Sequence, residues 1–349
     1  MRTGYQILTL MLFFVSCEGD KVFDLSPSER NAKHINELRK ELVDAPYGWA
    51  VSYFPRTDSL LFTNVSELVT LPKGIFEEGD RYAKYGYGGH RFLMKFSDSG
   101  TVETVADYNE RSLTEVRQSE FEVSQNTFTQ LSFTTHHYLH ALVNDGFTGS
   151  SDFLYTGKDL DGNLIFKTSS YVEPAREYIV FSKLKNEESW QTDIRRSYDN
   201  KLFFERMKNP QLSIRRSGRI YFLSDMPMNF SYDFSNDGRI VYEKSSMEVY
   251  RRYHLFLAKD YFAPQGWLGN KVKALGSGYM GTADGLTFKP GIRYSETYMF
   301  YDFRREGERF VCELVKVFDP YSKTIRWVSK HLAPDGEETG VIAEIKDKD

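Results

Sequence analysis

Apolar positions along this 349-residue chain follow three successive patterns. The first is a continuous run, Ile7 to Val15, interrupted only by Thr9, with Arg2 ahead of it and Ser16-Cys17 behind it. The second has a helical period. Ala32, Ile35, Leu38 and Leu42 recur at intervals of three, three and four, which puts them on one face of a helix. Ser26-Pro27-Ser28-Glu29 precedes them with the form of a capping box and proline at the first helical position. Asp44-Ala45-Pro46 closes the pattern, because a residue before proline is driven out of the helical region. A helix packed on a sheet is predicted.

From Gly48 onward the third pattern is one of short apolar runs divided by glycine turns. Trp49 to Phe54 is a candidate strand. Phe92–Phe96 and Thr101–Val105 flank Asp98-Ser99-Gly100, and such a turn between apolar runs signals a hairpin. Phe121 to Thr134 reads as two further strands. Asp152–Tyr155 and Leu164–Lys167 flank Asp161-Gly162, and Tyr178–Phe181 follows. Asp58 to Asp80 is irregular and reads as a long loop, while Tyr85-Gly-Tyr-Gly-Gly89-His90 reads as a flexible approach to the next strand. This is an antiparallel meander rather than a βαβ series.

A helical stretch near Glu187 to Met207 joins the halves, and the strand pattern then partly recurs. Phe96-Ser-Asp-Ser-Gly100 matches Phe234-Ser-Asn-Asp-Gly238, and Asp161-Gly162 to Lys167 parallels Asp284-Gly285 to Lys289. Two short similarities in the same order suggest a duplicated β-domain. Chance is the alternative, since Asp-Gly turns beside aromatic strands are common. The fold expected is mainly β (α+β), with two antiparallel β-meander or barrel-like domains, duplicated on this reading, and an N-terminal amphipathic helix. The divisions are 1–16 signal, 17–25 tether, 26–186 helix and first β-domain, 187–210 connector, and 211–349 second β-domain.

Composition agrees with this. The 23 tyrosines and 27 phenylalanines suit pleated surfaces. A net charge of −4 offers no basic stripe for nucleic acid. The run Ile7–Val15 is too short for a bilayer core of about 30 Å, which takes about 20 apolar residues; it suits a cleaved export signal. Phe14-Val15-Ser16-Cys17 resembles a lipobox, in which the cysteine is lipidated and becomes the new N-terminus. Cys17 is the expected lipidation site, and attachment to a bacterial membrane is expected. Only one other cysteine, Cys312, is present. It lies in a strand-like run and reads as a buried thiol.

Candidate chemistry is sparse. His136 and His140 are four apart, so a helix would place both on one face toward a metal. His137 stands where the HExxH motif needs glutamate. The plainer reading is a solvated cluster. Gly157 to Gly162 resembles part of a calcium loop but lacks its first and last ligands, so a hairpin turn is preferred. No G-x-S-x-G elbow occurs, and no cofactor motif is present. Of the four tryptophans, Trp267 and Trp49 are the candidate platforms for a bound ligand.

Several segments in order carry a resemblance: Val22 to Arg30 opening the helix, Ala45-Pro46-Tyr-Gly48-Trp49, Gly88 to Phe96, and Leu131 to Thr135 running up to Leu139-His140. This order resembles a family of Bacteroidetes lipoproteins known as domain of unknown function four-three-zero-two. The resemblance implies a surface or periplasmic lipoprotein, often encoded beside outer-membrane nutrient-uptake systems, and it implies no catalytic residues. The expectation is a membrane-anchored, non-catalytic binding or accessory protein. Its partners would be the bilayer through Cys17, a glycan or peptide ligand, and uptake proteins. The alternatives are a hydrolase or metal enzyme with a dispersed site, and a structural subunit of an outer-membrane complex.

Overall fold

The structure is a computed structural model. It describes residues 25–58, 88–125, 127–143, 149–168, 175–226, 228–229, 232–234, 240–242, 252–257, 273–293, 298–320 and 323–348. The apolar N-terminal run, Cys17, the stretch from 59 to 80 and Trp267 lie outside these residues.

Helix α1 spans Pro27–Val43 and opens as its sequence dictates. The Glu29 amide donates to the Ser26 Oγ at 3.3 Å, and the Ser26 amide donates back to the Glu29 carboxylate at 2.8 Å. Two amides that a helix start leaves orphaned are thereby satisfied. Leu38 and Leu42 are buried and Ile35 packs beside them, while Ala32, the first residue of the stripe, stays exposed.

Eight strands follow: β1 (Trp49–Asp58), β2 (His90–Phe96), β3 (Thr101–Ala106), β4 (Arg117–Gln125), β5 (Thr129–Phe133), β6 (Asp152–Lys158), β7 (Leu164–Thr168) and β8 (Ala175–Lys183). They pair in sequence order, and β1 pairs back to β8, closing an antiparallel barrel. Closure removes the unpaired edges that an open sheet would present. Every second residue points inward: Trp49, Val51 and Tyr53 on β1, and Phe92, Met94 and Phe96 on β2. Aromatic edges fill the middle, with ring centroids 5.3 Å apart for Tyr53–Phe153, 4.8 Å for Phe96–Phe121 and 4.8 Å for Phe166–Phe181. The barrel interior is a core, as eight-stranded barrels of this size allow.

Both ends of the barrel are stoppered. Helix α1 lies across the end formed by the start of β1 and the β2–β3, β4–β5 and β6–β7 turns. There the Arg39 guanidinium donates to the Asp98 carbonyl at 2.8 Å, and Glu41 pairs with Lys158 at 2.9 Å and Lys183 at 2.6 Å. At the other end a 3-10 helix, Tyr138–Val143, buries Tyr138, Leu139, Ala141 and Leu142 in the same core.

Helix α2 (Ser189–Glu205) leads to the second half. Strands β9 (Pro210–Arg216), β10 (Arg219–Asp225), β11 (Met228–Asn229), β14 (Arg252–Leu257), β15 (Lys273–Gly281), β16 (Gly285–Arg293), β17 (Met299–Glu306), β18 (Arg309–Asp319) and β20 (Glu337–Asp347) form one antiparallel sheet. Its order is β10-β9-β20-β18-β17-β16-β15-β14-β11, and β19 (Thr324–Ser329) pairs with β18. Strands β12 (Tyr232–Phe234) and β13 (Ile240–Tyr242) make a separate hairpin. Cys312 is buried in the core of this sheet, where burial raises its thiol pKa.

The chain is mainly β, with a barrel and a second antiparallel sheet, as expected. The two matched turn motifs are hairpins in both halves: β2–β3 against β12–β13, and β6–β7 against β15–β16. Their surroundings differ. The first hairpin belongs to the closed barrel, whereas β12–β13 stands apart from the ten-stranded sheet. The two halves do not share a strand order.

Helix α2 packs between the two halves. Ile194 and Tyr198 meet Ala50, Leu93 and Val105 on the outer face of the barrel, and Phe204 enters the core of the second sheet, 4.9 Å from Tyr279. The outer burial of Leu93 explains why β2 reads as a nearly unbroken apolar run. Gly88 and Gly89, read from sequence as a flexible approach, instead allow close contact. The Gly89 amide donates to the Tyr279 carbonyl at 3.0 Å, and a Cβ on Gly278 would lie 2.8 Å from the Gly88 Cα. A Cβ on Gly281 would overlap the Ser197 carbonyl oxygen of α2. Gly281→Ala is therefore expected to cost about 1–3 kcal/mol, the usual range for overpacking, read in urea denaturation. An unchanged midpoint would show that α2 and β15 are not so closely apposed.

Candidate functional site

Two groups of polar side chains stand out from the packed cores. The first is the histidine cluster at the barrel end opposite α1. The β5 strand stops at Phe133, and the chain turns through Thr134-Thr135 into the 3-10 helix. Thr135 fixes that turn, its Oγ1 accepting the Glu120 amide at 2.9 Å. The Tyr138 hydroxyl donates to the Glu115 carbonyl at 2.9 Å, and the Tyr138 carbonyl accepts the Tyr108 hydroxyl at 2.7 Å. Arg117 lies over the Tyr138 ring, 4.4 Å from its centroid.

On this support the sequence's two candidate ligands come together. The His136 and His140 rings are 5.4 Å apart, although a 3-10 helix rather than an α-helix carries His140. His136 is exposed, His140 is half-buried and His137 is fully buried, 5.1 Å from His140. Both rings of the inner pair already have work. His140 Nδ1 accepts the His137 amide at 3.3 Å, and His140 is also hydrogen-bonded to the Phe133 backbone. His137 Nδ1 accepts the Leu139 amide at 3.4 Å. A metal at His140 would have to displace one of these bonds. Among the described residues no group of three or more His, Cys, Asp or Glu side chains could hold an ion.

Electrostatics favour the neutral form of the inner pair, His137 and His140. Burial first, then the neighbouring His140, His136 and Arg117, push His137 down to about 3. Burial and His136 also lower His140. His137 Nε2 is buried with no hydrogen-bond partner among the described residues, so its imidazole serves chiefly as a packed ring, 5.0 Å from Phe133.

The second group sits where the barrel meets α2, and sequence reasoning missed it. Asp107, just past β3, is fully buried. The Lys201 ammonium of α2 lies 3.5 Å from its carboxylate and also bonds its backbone carbonyl. The buried His90 of β2 lies 3.9 Å from the same carboxylate. Arg91, next along β2, donates to the Ser52 Oγ at 2.9 Å; burial lowers its pKa, and Asp193, Asp107 and Asp284 only partly oppose that. Lys201 also lies over the Tyr198 ring at 4.5 Å. A signal was present: Lys201 falls on the apolar stripe Ile194, Tyr198, Phe204, where a charge needs a partner. The arrangement joins the barrel to α2.

The remaining candidates resolve simply. Trp49 is fully buried in the barrel, its Nε1 donating to the Leu42 carbonyl at 2.9 Å, so it is a core residue and cannot stack on a ligand. Trp267 lies outside the described residues. The part of a calcium loop is the β6–β7 turn. Asp159 accepts the Asp161 and Asn163 amides at 3.0 and 2.9 Å, which spends its carboxylate on the backbone. A cleft of about 530 Å³ is lined by charged side chains, among them Arg206, Glu306 and Arg309, and Arg309 pairs with Glu344 at 2.8 Å and with Glu306 at 3.3 Å.

Two measurements test these assignments. A group held neutral in the fold and free to protonate when unfolded contributes stability above its unfolded pKa, near 6.5, that is lost as pH falls toward its folded value. His137 should therefore cost the folded state about tenfold in its folding constant for each pH unit between roughly 6 and 3. His137→Leu should flatten the acid limb of a stability–pH profile, and an unchanged limb would refute the buried neutral ring. Lys201→Met removes one partner of a buried pair and should destabilise by about 3–5 kcal/mol. Lys201→Met with Asp107→Asn should recover part of that loss in chemical denaturation, whereas simple additivity would refute the coupling.

Comparison with curated proteins and with solved structures finds no match for this chain. The sequence model of one family, described as a domain of unknown function (DUF4302), matches residues 19–307. That span runs from ahead of α1, through the barrel and α2, to the turn after β17. With most of its length matched, and the segments that carried the resemblance inside the match, the chain belongs to the DUF4302 family.

Proposed function

We propose that this protein is a lipid-anchored, exported binding or accessory protein that acts through its outer surfaces. The observation that carries the reading is the filled and stoppered barrel. Its inward side chains pack against one another, and α1 and the 3-10 helix close its two ends. Small-molecule enzymes and carriers usually keep a concave, partly apolar pocket; here the apolar interior is spent on the fold. The two polar groups that could have suggested catalysis are engaged in backbone hydrogen bonds or in the joint between the halves.

The anchor rests on residues 1–17. Arg2, the apolar run Ile7–Val15 and Ser16-Cys17 have the order of an export signal followed by a lipidated cysteine. Among the described residues no helix is long and apolar enough to cross a membrane. A tether from Glu18 to Leu25 would then lead from the acylated cysteine into α1. The family resemblance favours a place beside an outer-membrane nutrient-uptake system, with a glycan or peptide as the class of ligand.

The test is made in the native membrane. Wild-type chain should take up an alkynyl palmitate label, sediment with membranes and cross-link to outer-membrane uptake components. Cys17→Ala should lose the label and the sedimentation while keeping its fold by circular dichroism. Label retained on Cys17→Ala would refute the anchor, and an acylated chain with neither ligand nor partner would refute the accessory role.

A further inference from the structure

The barrel end crossed by α1 carries a set of exposed apolar side chains on separate turns. Tyr47 stands in the link from α1 to β1 and is 40% exposed, Phe128 in the β4–β5 turn is 45% exposed, and Leu160 in the β6–β7 turn is 40% exposed. Leu25, just ahead of α1, is 38% exposed. Strand direction puts the three turn residues at one end. Trp49 opens β1 opposite Met94 near the close of β2, Gln125 closes β4 opposite Thr129, and Lys158 closes β6 opposite Leu164. Among the described residues, the large apolar side chains exposed at the other end of the barrel are Val116 and Val143.

The chain itself connects this end to the proposed anchor. Leu25 follows Cys17 by eight residues, a reach of at most about 28 Å fully extended. Helix α1, about 25 Å long at 1.5 Å per residue, then runs across the barrel mouth. An anchor at Cys17 therefore holds this rim near the bilayer and the histidine end about a strand's length farther away.

The polar surroundings fit the same orientation. The Lys167 ammonium lies 4.8 Å from the centre of the Phe128 ring. Lys33 and Lys40 line the open side of α1 with Leu25, Ala32, Glu29 and Glu37, the last 3.9 Å from Lys33. Long amine side chains can lie along apolar surface and keep their charge at the headgroups. The carboxylates nearby are already engaged: Asp159 by its own turn, Glu41 by Lys158 and Lys183, and Asp161 by Arg326 at 3.9 Å. Charge on the rim is close to balanced, so apolar contact is the stronger attraction.

We propose that the α1 end of the barrel rests on the lipid bilayer, with Tyr47, Phe128 and Leu160 dipping into the headgroup region beside the anchor. This rests on the lipid-anchor reading and extends it from a point of attachment to a fixed orientation. Binding of the rim depends little on anionic lipid, because its charges are paired.

The test uses the full acylated chain, with the modification at Cys17 confirmed by mass, reconstituted into phosphatidylcholine vesicles with and without phosphatidylglycerol. Leu160→Cys, Phe128→Cys and Val143→Cys are each labelled with an environment-sensitive fluorophore; buried Cys312 does not compete. Probes at 160 and 128 should shift to the blue and be quenched severalfold more by spin-labelled lipid than the probe at 143, in both vesicle types. Equal quenching at all three positions on an acylated chain would overturn the orientation and leave the anchor standing. A blue shift at 160 without lipid quenching would also overturn it, by assigning the rim to a protein contact. A chain with unmodified Cys17 would overturn the anchor, and the orientation with it.

Discussion

A buried ammonium on α2 is the constraint around which the two halves are arranged. Lys201 lies on a stripe that otherwise packs apolar residues, and its charge must be answered inside the protein. Asp107 answers it from the end of a barrel strand, with His90 on the far side of the same carboxylate. That requirement fixes where α2 lies along the barrel. Once it is there, Ile194 and Tyr198 cover the outer face of β1–β3, Phe204 reaches the second core, and Gly281 must be a glycine because Ser197 occupies the space. The joint is therefore specific rather than greasy. Hydrogen bonds from Asn200 to Thr282 at 2.9 Å and from Gly89 to Tyr279 reinforce the same register.

Local features of the fold were legible in the sequence because local chemistry dictates them. The capping box at Ser26 specifies a helix start whatever surrounds it, and Asp98-Ser99-Gly100 and Asp161-Gly162 specify turns through positive-φ glycines at Gly100 and Gly162. The meander reading held as far as neighbouring strands. Closure of the barrel was not legible, because the β1–β8 pairing joins segments far apart in sequence with no turn to advertise it. Strand order in the second sheet was hidden for the same reason. Trp49 was a candidate ligand platform as one of four tryptophans, although the sequence also placed it at the start of a strand. Only the tertiary contact with the α1 backbone shows that its indole faces inward.

The candidate sites divide along the same line. The proximity of His136 and His140 could be read from their spacing, but the competition that occupies His140 and His137 depends on the 3-10 geometry that follows β5. The Asp107–Lys201 pair needed a different habit of reading: a charged residue on an apolar helical stripe points to a buried partner elsewhere in the chain. Glycines needed one too. Gly89 has no room for a side chain because the Phe54 ring lies 2.5 Å from where its Cβ would be, and Gly278 has none because the Gly88 backbone passes at 2.8 Å, reasons that no single sequence displays.

The position of β20 has a consequence for how such a chain is made. This strand lies between β9 and β18, pairing Val341–Asp347 with Pro210–Arg216 on one side and Ile342–Lys346 with Arg309–Glu313 on the other. A chain delivered amino end first can close its barrel while still attached, since all eight barrel strands lie before residue 184. The second sheet has no such freedom. Until β20 arrives, β9–β10 and β18–β17 are two fragments with open edges, and edges of that kind are where strands recruit foreign partners. The second sheet is thus sealed only by a strand delivered long after β9, whereas the barrel needs nothing from beyond its own eight strands.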